Sequence, residues 1–364
     1  MNYLKLKENI EKAIHAHPME VEPYNDFFDL CREYEKIDFE VAHEWNHSMR
    51  VYIGWALRSA VERADFTAAE RFDNLLFRSL LFGAPNFFDD YLQAVEYGKP
   101  LDKKFYQPRR HYLKRYVDAY QEILDGKLDF LSISMPKRAG KSQLGINFTN
   151  MLSGKYPDRS TLMEGTGDDL VKSFYLGCLE YLQTPSDYHF YDIFPESKLV
   201  QTNADTKIIN LLHKSRFPTV MCRSIDARQV GLSEATNLLY LDDCVEGREE
   251  AKNRQRLDDK WEIISGDIIG RAIEGTPIVI CGTRYDAYTI VIGGKESICQ
   301  LHSRSQQTID RVTLNIQRYI VYCRLSFEVL AQVSCFQNHI HIVHSFLAFC
   351  YIRIAGNFGE TLKI

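Results

Sequence analysis

Paired cysteines are missing from this chain. Its nine cysteines are scattered along 364 residues with no C-x-x-C spacing, which excludes a zinc knuckle and a disulfide-stapled scaffold. Free thiols of this kind suit a reducing cytoplasm. Long apolar runs are missing too. The most apolar stretch, near Ile342–Ile352, is shorter than the ~20 residues a membrane-spanning helix needs. The opening turns carry Lys5, Lys7, Glu8 and Glu11, so no signal peptide is expected. A net charge of −5 gives no global attraction to nucleic acid, and any DNA contact must use a local patch. Neither an internal repeat nor a low-complexity run is visible. What remains is a globular composition, 45% apolar and 26% charged, at a length that suits about two domains.

Three parts differ in character. Residues 1 to about 127 are expected to be mainly helical. Leu6, Ile10, Ala13 and Ile14 mark one apolar face and Phe72, Leu75, Leu76 and Leu80 another, with Gly83 and Pro85 as a stop signal. From about 128 to 288, short apolar strands alternate with amphipathic helices, the pattern of an α/β layered domain. Strands are expected at Leu131–Ser134, Thr161–Glu164, Val220–Arg223, Leu238–Leu241 and Ile278–Cys281. One helix is expected through Leu144, Phe148, Met151 and Leu152, and another through Leu170, Val171, Phe174, Cys178 and Tyr181.

The first strand runs into Met135-Pro-Lys-Arg-Ala-Gly-Lys-Ser142. A Gly-Lys-Ser turn alone can be an ordinary basic turn, but a strand, this turn and a helix follow in the order of a phosphate-binding loop, whose backbone N–H groups and helix N-terminus would face a phosphate. Lys141 would reach the β/γ-phosphates, Ser142 would offer a hydroxyl to Mg²⁺, and Gly140 leaves room for the phosphate. The glycine usual five residues earlier is replaced by Met135.

A second apolar strand, Asn237-Leu-Leu-Tyr-Leu, ends in Asp242 and Asp243. Asp242 is expected to hold the Mg²⁺ shell, and Asp243 to orient or deprotonate the attacking water, with Glu246 as the longer-reaching alternative. A third strand ends in Gly282-Thr283-Arg284. Thr283 is the candidate for sensing the γ-phosphate, with Arg284 as its charged neighbour; the other reading is a glycine turn closing a core strand. Upstream, Gln107 can pair with an adenine edge and Tyr106 can stack on the ring; the other reading is a polar N-terminus for a helix from Pro108 to Leu124. Lys103, Lys104, Arg109, Arg110, Lys114 and Arg115 form the densest basic cluster, which suits phosphate, DNA or plain solvent.

As a set, Tyr106-Gln-Pro-Arg-Arg110, the glycine-poor loop, the Leu-Tyr-Leu-Asp-Asp strand and Ile280-Cys-Gly-Thr-Arg-Tyr-Asp286 resemble the ATPase domain of tailed-phage terminase large subunits. The resemblance covers roughly 105–288. It implies a P-loop NTPase of the ASCE type, a mostly parallel sheet flanked by helices after a helical N-terminal region. It further implies ATP and Mg²⁺ as cofactors and a motor that threads double-stranded DNA into a procapsid. Implied partners are DNA, a portal protein, a small terminase subunit and further copies in a ring, in the cytoplasm of a bacterial host. By the same likeness a basic loop residue, Lys137 or Arg138, serves as an arginine-finger equivalent; Arg138 is preferred because a guanidinium holds two phosphate oxygens. A helicase-like ATPase and a prophage remnant without turnover are the alternatives.

The family also implies a two-metal nuclease domain, which is not expected here. From Thr289 onward only four of the chain's 49 acids occur, Glu296, Asp310, Glu328 and Glu360, alongside four of nine cysteines and four of eleven histidines. That shift is what out-of-frame translation produces. The expectation is a frameshifted or degraded gene end without a fold of its own, with a divergent short domain as the alternative.

Overall fold

The computed structural model describes residues 2–227, 233–283 and 320–322. It divides into two compact units, Met1–Gly98 and Lys99–Ile364.

The first unit is built from α1 (Tyr3–Ala16), α2 (Glu22–Tyr34), α3 (Phe39–Glu62), α4 (Phe66–Gly83) and α5 (Phe88–Val95). Three of them open on side-chain caps: Asn2, Asp38 and Asp65 accept from the amides of Lys5, Val41 and Ala68. These amides have no partner within their helices. Apolar residues at helical spacing close one core, including Ile10, Ile14, Phe27, Met49, Ile53, Phe72 and Leu75. Two polar pairs inside are matched. Asn46 donates to the Ser79 carbonyl and accepts from its hydroxyl, at 3.1 and 2.7 Å. Arg50 grips both oxygens of Asp90, at 2.5 and 2.7 Å. Gly83 ends α4 and also gives that carboxylate its space, since a Cβ there would lie 1.8 Å from Asp90 Oδ2.

The second unit begins with 3₁₀ turns at Leu101–Lys103 and Gln107–Arg109 and with α6 (Arg110–Leu124). Seven strands follow: β1 (Phe130–Ser134), β2 (Thr161–Gly165), β3 (Leu199–Asn203), β4 (Ile208–Leu211), β5 (Val220–Ser224), β6 (Leu238–Asp242) and β7 (Ile278–Gly282). Helices α7 (Lys141–Lys155), α8 (Asp168–Gln183), α9 (Phe190–Ile193), α10 (Arg248–Ala251) and α11 (Arg254–Glu262) lie between them, and a π-helical turn, Ile263–Ile268, follows α11. The sheet is mostly parallel, in the order β3-β4-β5-β2-β6-β7-β1-β8, where β8 (Ile320–Tyr322) pairs with β1. Every residue of β2, β6 and β7 is buried, as in a parallel sheet covered on both faces. Leu239, Leu241, Ile278 and Ile280 pack towards Leu257, Ile264 and Ile268. Tyr240, pointing the other way, meets Phe174 of α8 at 5.3 Å between ring centroids. It also fills the place of a side chain at Gly145 of α7, where a Cβ would sit 2.1 Å from its hydroxyl. α7 therefore lies against β6.

All five expected strands occur, each with its bounds shifted by no more than one residue. The edge pair β3–β4 was not anticipated. It is an antiparallel hairpin closed by Asn203, whose side chain accepts from the amides of Asp205 and Thr206. The units divide at Gly98 rather than near residue 127. α6 goes with the sheet because Tyr120 is fully buried there, against Phe148 at 4.6 Å between centroids and Cys281 Sγ at 3.5 Å. Arg284 and the acid-poor segment lie outside the described residues, apart from β8. Among the described residues no helix is long and apolar enough to cross a membrane.

Candidate functional site

The register of the sheet sets four strand ends within one residue of level. Ser134 pairs with Gly282, Cys281 with Asp242, and Asp242 with Gly165. The next residue on each strand, Met135, Thr283, Asp243 and Thr166, therefore stands on one rim at the carboxyl edge. Open α/β sheets place their crevices at this edge, where the order of strands reverses. Here the chain passes from β1 to β2 across the positions later filled by β7 and β6.

Hydrogen bonds tie the rim together. The amide of Met135 donates to Gly282 O at 3.2 Å, and that of Asp243 to Cys281 O at 2.9 Å. The Thr283 amide donates to Asp243 Oδ1 at 3.1 Å, and its hydroxyl reaches Met135 O at 3.5 Å. On the other side the Thr166 hydroxyl donates to Asp243 O at 2.6 Å.

The loop after β1 delivers Lys141 to the same point. Gly140 has φ +100°, a left-handed conformation that glycine adopts without cost. A side chain there would also strike the Phe105 ring, 2.8 Å from the Cβ position. Met135 is buried, so the missing glycine corresponds to a core side chain. Arg138, exposed at the tip, takes φ +65° itself.

Lys141 Nζ lies 2.7 Å from Asp242 Oδ1 and 2.6 Å from Asp243 Oδ1. Burial opposes its charge, but the two carboxylates outweigh burial and hold its pKa above the ordinary 10.5. Asp242 is fully buried. Burial raises its carboxyl above the ordinary 3.8; the Lys141 charge and the Ser142 hydroxyl pull it back, while Asp243 pushes it further up. The Ser142 hydroxyl thus faces this carboxylate, yet Oδ2 is buried with no hydrogen-bond partner. One ammonium serves two acids, and one buried oxygen is left over.

The structure gathers Lys141, Ser142, Asp242, Asp243 and Thr283. It does not gather every candidate. Glu246 is exposed, and its amide donates to Glu250 Oε2 at 2.6 Å. Among the described residues, no hydrogen bond or ion pair joins its side chain to Lys141 or the two acids. Lys137 and Arg138 are exposed on the loop, and Gln107 is exposed on the 3₁₀ turn. Tyr106 is a correction: it is fully buried, so its ring faces are taken up by the protein and cannot stack on a base. Phe105 instead holds the upstream segment to the loop, with the Arg109 guanidinium 5.7 Å from its ring centroid and donating to its carbonyl at 3.0 Å. Sequence reasoning missed Phe105 and Thr166. The rule applied to Thr283, a polar residue just past a buried strand, applies equally to Thr166 after Thr161–Gly165.

Chemically, the orphaned Asp242 oxygen and the Ser142 hydroxyl form a hard-oxygen donor set of the kind Mg²⁺ takes. A left-handed glycine ahead of a helix N-terminus suits a phosphate. Neither a scan against protein-family models nor a search of curated proteins finds a match for this chain.

Proposed function

We propose that this chain binds ATP with Mg²⁺ through a P-loop NTPase domain and hydrolyses it. In this reading it is the packaging ATPase of a terminase large subunit. The observation that carries the reading is the position of Lys141, between Asp242 and Asp243, where the loop after β1 meets the end of β6. Two separate sequence signals, about a hundred residues apart, converge there on one ammonium.

Each residue then has a task. Lys141 exchanges its carboxylates for β/γ-phosphate oxygens, and the amides that open α7 face the phosphate. Asp242 and Ser142 are the protein ligands for Mg²⁺, which when bound neutralises charge on the phosphate oxygens. Asp243, freed from Lys141, orients the attacking water. Arg138 is close enough in sequence to the loop's glycine to swing its guanidinium onto the transferred phosphoryl group. Thr283, bonded to Asp243 through its amide, relays loss of that group to β7. Double-stranded DNA, a portal protein, a small subunit and a ring of copies complete the reading, which places the chain in the host cytoplasm.

The test is ATP hydrolysis by the purified chain beside Lys141→Ala and Asp242→Asn, with and without double-stranded DNA. Turnover in the wild type alone, raised by DNA, is expected. Equal background rates in all three proteins overturn the catalytic reading. Turnover indifferent to DNA overturns the motor.

A further inference from the structure

Asp243 holds a backbone conformation that costs an L-residue more than it costs glycine. Its φ is +42°, in the left-handed region, which Asp tolerates better than most L-residues but keeps as a single state only where the surroundings hold it. Two backbone bonds do so here. Its amide is committed to Cys281 O at 2.9 Å and its carbonyl to the Thr166 hydroxyl at 2.6 Å. The first is an ordinary main-chain bond between neighbouring strand ends. The second is made by one side chain from the strand on the other side of β6.

We infer that Thr166 is a positioning residue for Asp243. It pins the carbonyl so that the carboxylate stays aimed at Lys141 and at the space where a water would be oriented. The inference rests on the reading of Asp243 as the water-orienting acid. Thr166 suits the task because it is 7% exposed, so little water reaches its hydroxyl to compete for the bond. Its place is fixed by β2, whose residues are all buried. Without the hydroxyl, Asp243 can relax to an ordinary conformation, which swings the carboxylate off Thr283 N and Lys141 Nζ. Nucleotide binding through Lys141, Ser142 and Gly140 does not depend on that carbonyl.

The experiment compares Thr166→Val, which keeps the shape and removes the donor, with Thr166→Ser, which keeps the donor. For Thr166→Val, kcat falls roughly tenfold, the scale of one lost hydrogen bond at an activated complex. The Kd for a non-hydrolysable ATP analogue changes less than about twofold, and Thr166→Ser restores most of kcat. In an Asp243→Asn background, Thr166→Val has no further effect on the residual rate, because the two act as one unit. A parallel readout needs no turnover. Amide hydrogen exchange at residues 243 and 283 speeds up in Thr166→Val while β2 and β6 keep their protection. Equal loss of kcat and nucleotide affinity, the same fold-loss with and without Asp243, or unchanged exchange each overturns the inference. Absence of hydrolysis in the wild type overturns the functional reading instead, and the exchange measurement still decides whether Thr166 holds Asp243.

Discussion

Each unit buries a charge pair, and the two are built differently. In the helical unit Arg50 binds Asp90 with two nitrogens on two oxygens. Gly83 clears the space and nothing on the carboxylate is left over. In the sheet unit Lys141 stands between two acids, and Asp242 Oδ2 has no partner. In the first geometry both carboxylate oxygens are satisfied without a ligand, although Arg50 Nε is left without a partner. The second mismatches one cation with two anions and leaves a buried oxygen unsatisfied, a state whose desolvation cost persists until something cationic binds. A buried carboxylate satisfied on both oxygens marks architecture; one left short, held against its own cost, marks a site.

The comparison breaks if Arg50 is dispensable. Arg50→Ala strands Asp90 in the interior and is expected to destabilise the helical unit by about 3–5 kcal/mol in urea denaturation. Arg50→Met with Asp90→Ala recovers most of that, because an apolar pair of similar volume replaces the ion pair.

Lys141→Met sharpens the other side. Asp242 then loses the charge that opposes its burial, and its carboxyl rises further above 3.8. A raised folded-state pKa means that the folded chain keeps a proton that the unfolded chain has lost. Stability is therefore greatest below pH 3.8 and falls as pH rises through the folded-state value. The fall is about 1.4 kcal/mol for each pH unit separating the unfolded and folded values. Melting curves of Lys141→Met and wild type should diverge as pH is raised above 3.8. Parallel curves would mean that Asp242 does not depend on Lys141.

Asp243→Gly sets strain against activity. Asp243→Ala loses the same carboxylate but keeps a Cβ, whereas glycine adopts the left-handed conformation freely; the glycine variant should therefore be the more stable of the two by about 1 kcal/mol, while both lose hydrolysis. Equal stabilities would show that the conformation at 243 is not strained.

The smallest effect concerns His43. Burial lowers its pKa below the ordinary 6.5, against the opposing pull of Glu35, which it meets at 3.0 Å. Its Nδ1 is buried without a partner. The unfolded chain binds the extra proton first, so this contribution is full above pH 6.5 and is lost as pH falls below it. Wild type should lose a few tenths of a kcal/mol more than His43→Gln between about pH 7.5 and pH 5.5.

How much was legible in the sequence follows from burial. Strands covered on both faces, such as Leu238–Asp242 and Ile278–Gly282, are continuous apolar runs and can be read directly. The hairpin β3–β4 could not be read this way, because β3 is an edge strand whose five residues are only half-buried or exposed. The loop and the two acids were legible because each ends a buried strand. Thr166 was not, since its role depends on a strand pairing that no local pattern states. Tyr106 misled for a related reason: beside a polar glutamine it looks like an exposed aromatic, and only packing shows otherwise.

Tyr240 has a mechanical consequence. It stands two residues before Asp242, and its ring is locked into the gap at Gly145, one turn after Lys141. The helix that carries the lysine and the strand that carries the acids thus mesh like a key and its slot, with little compliance between them. A displacement of the loop that opens α7 would be passed to β6 instead of being absorbed by sliding of one over the other. A Gly145→Ala chain would have to open that joint. It would be the way to ask whether stiffness here couples Lys141 to the two acids.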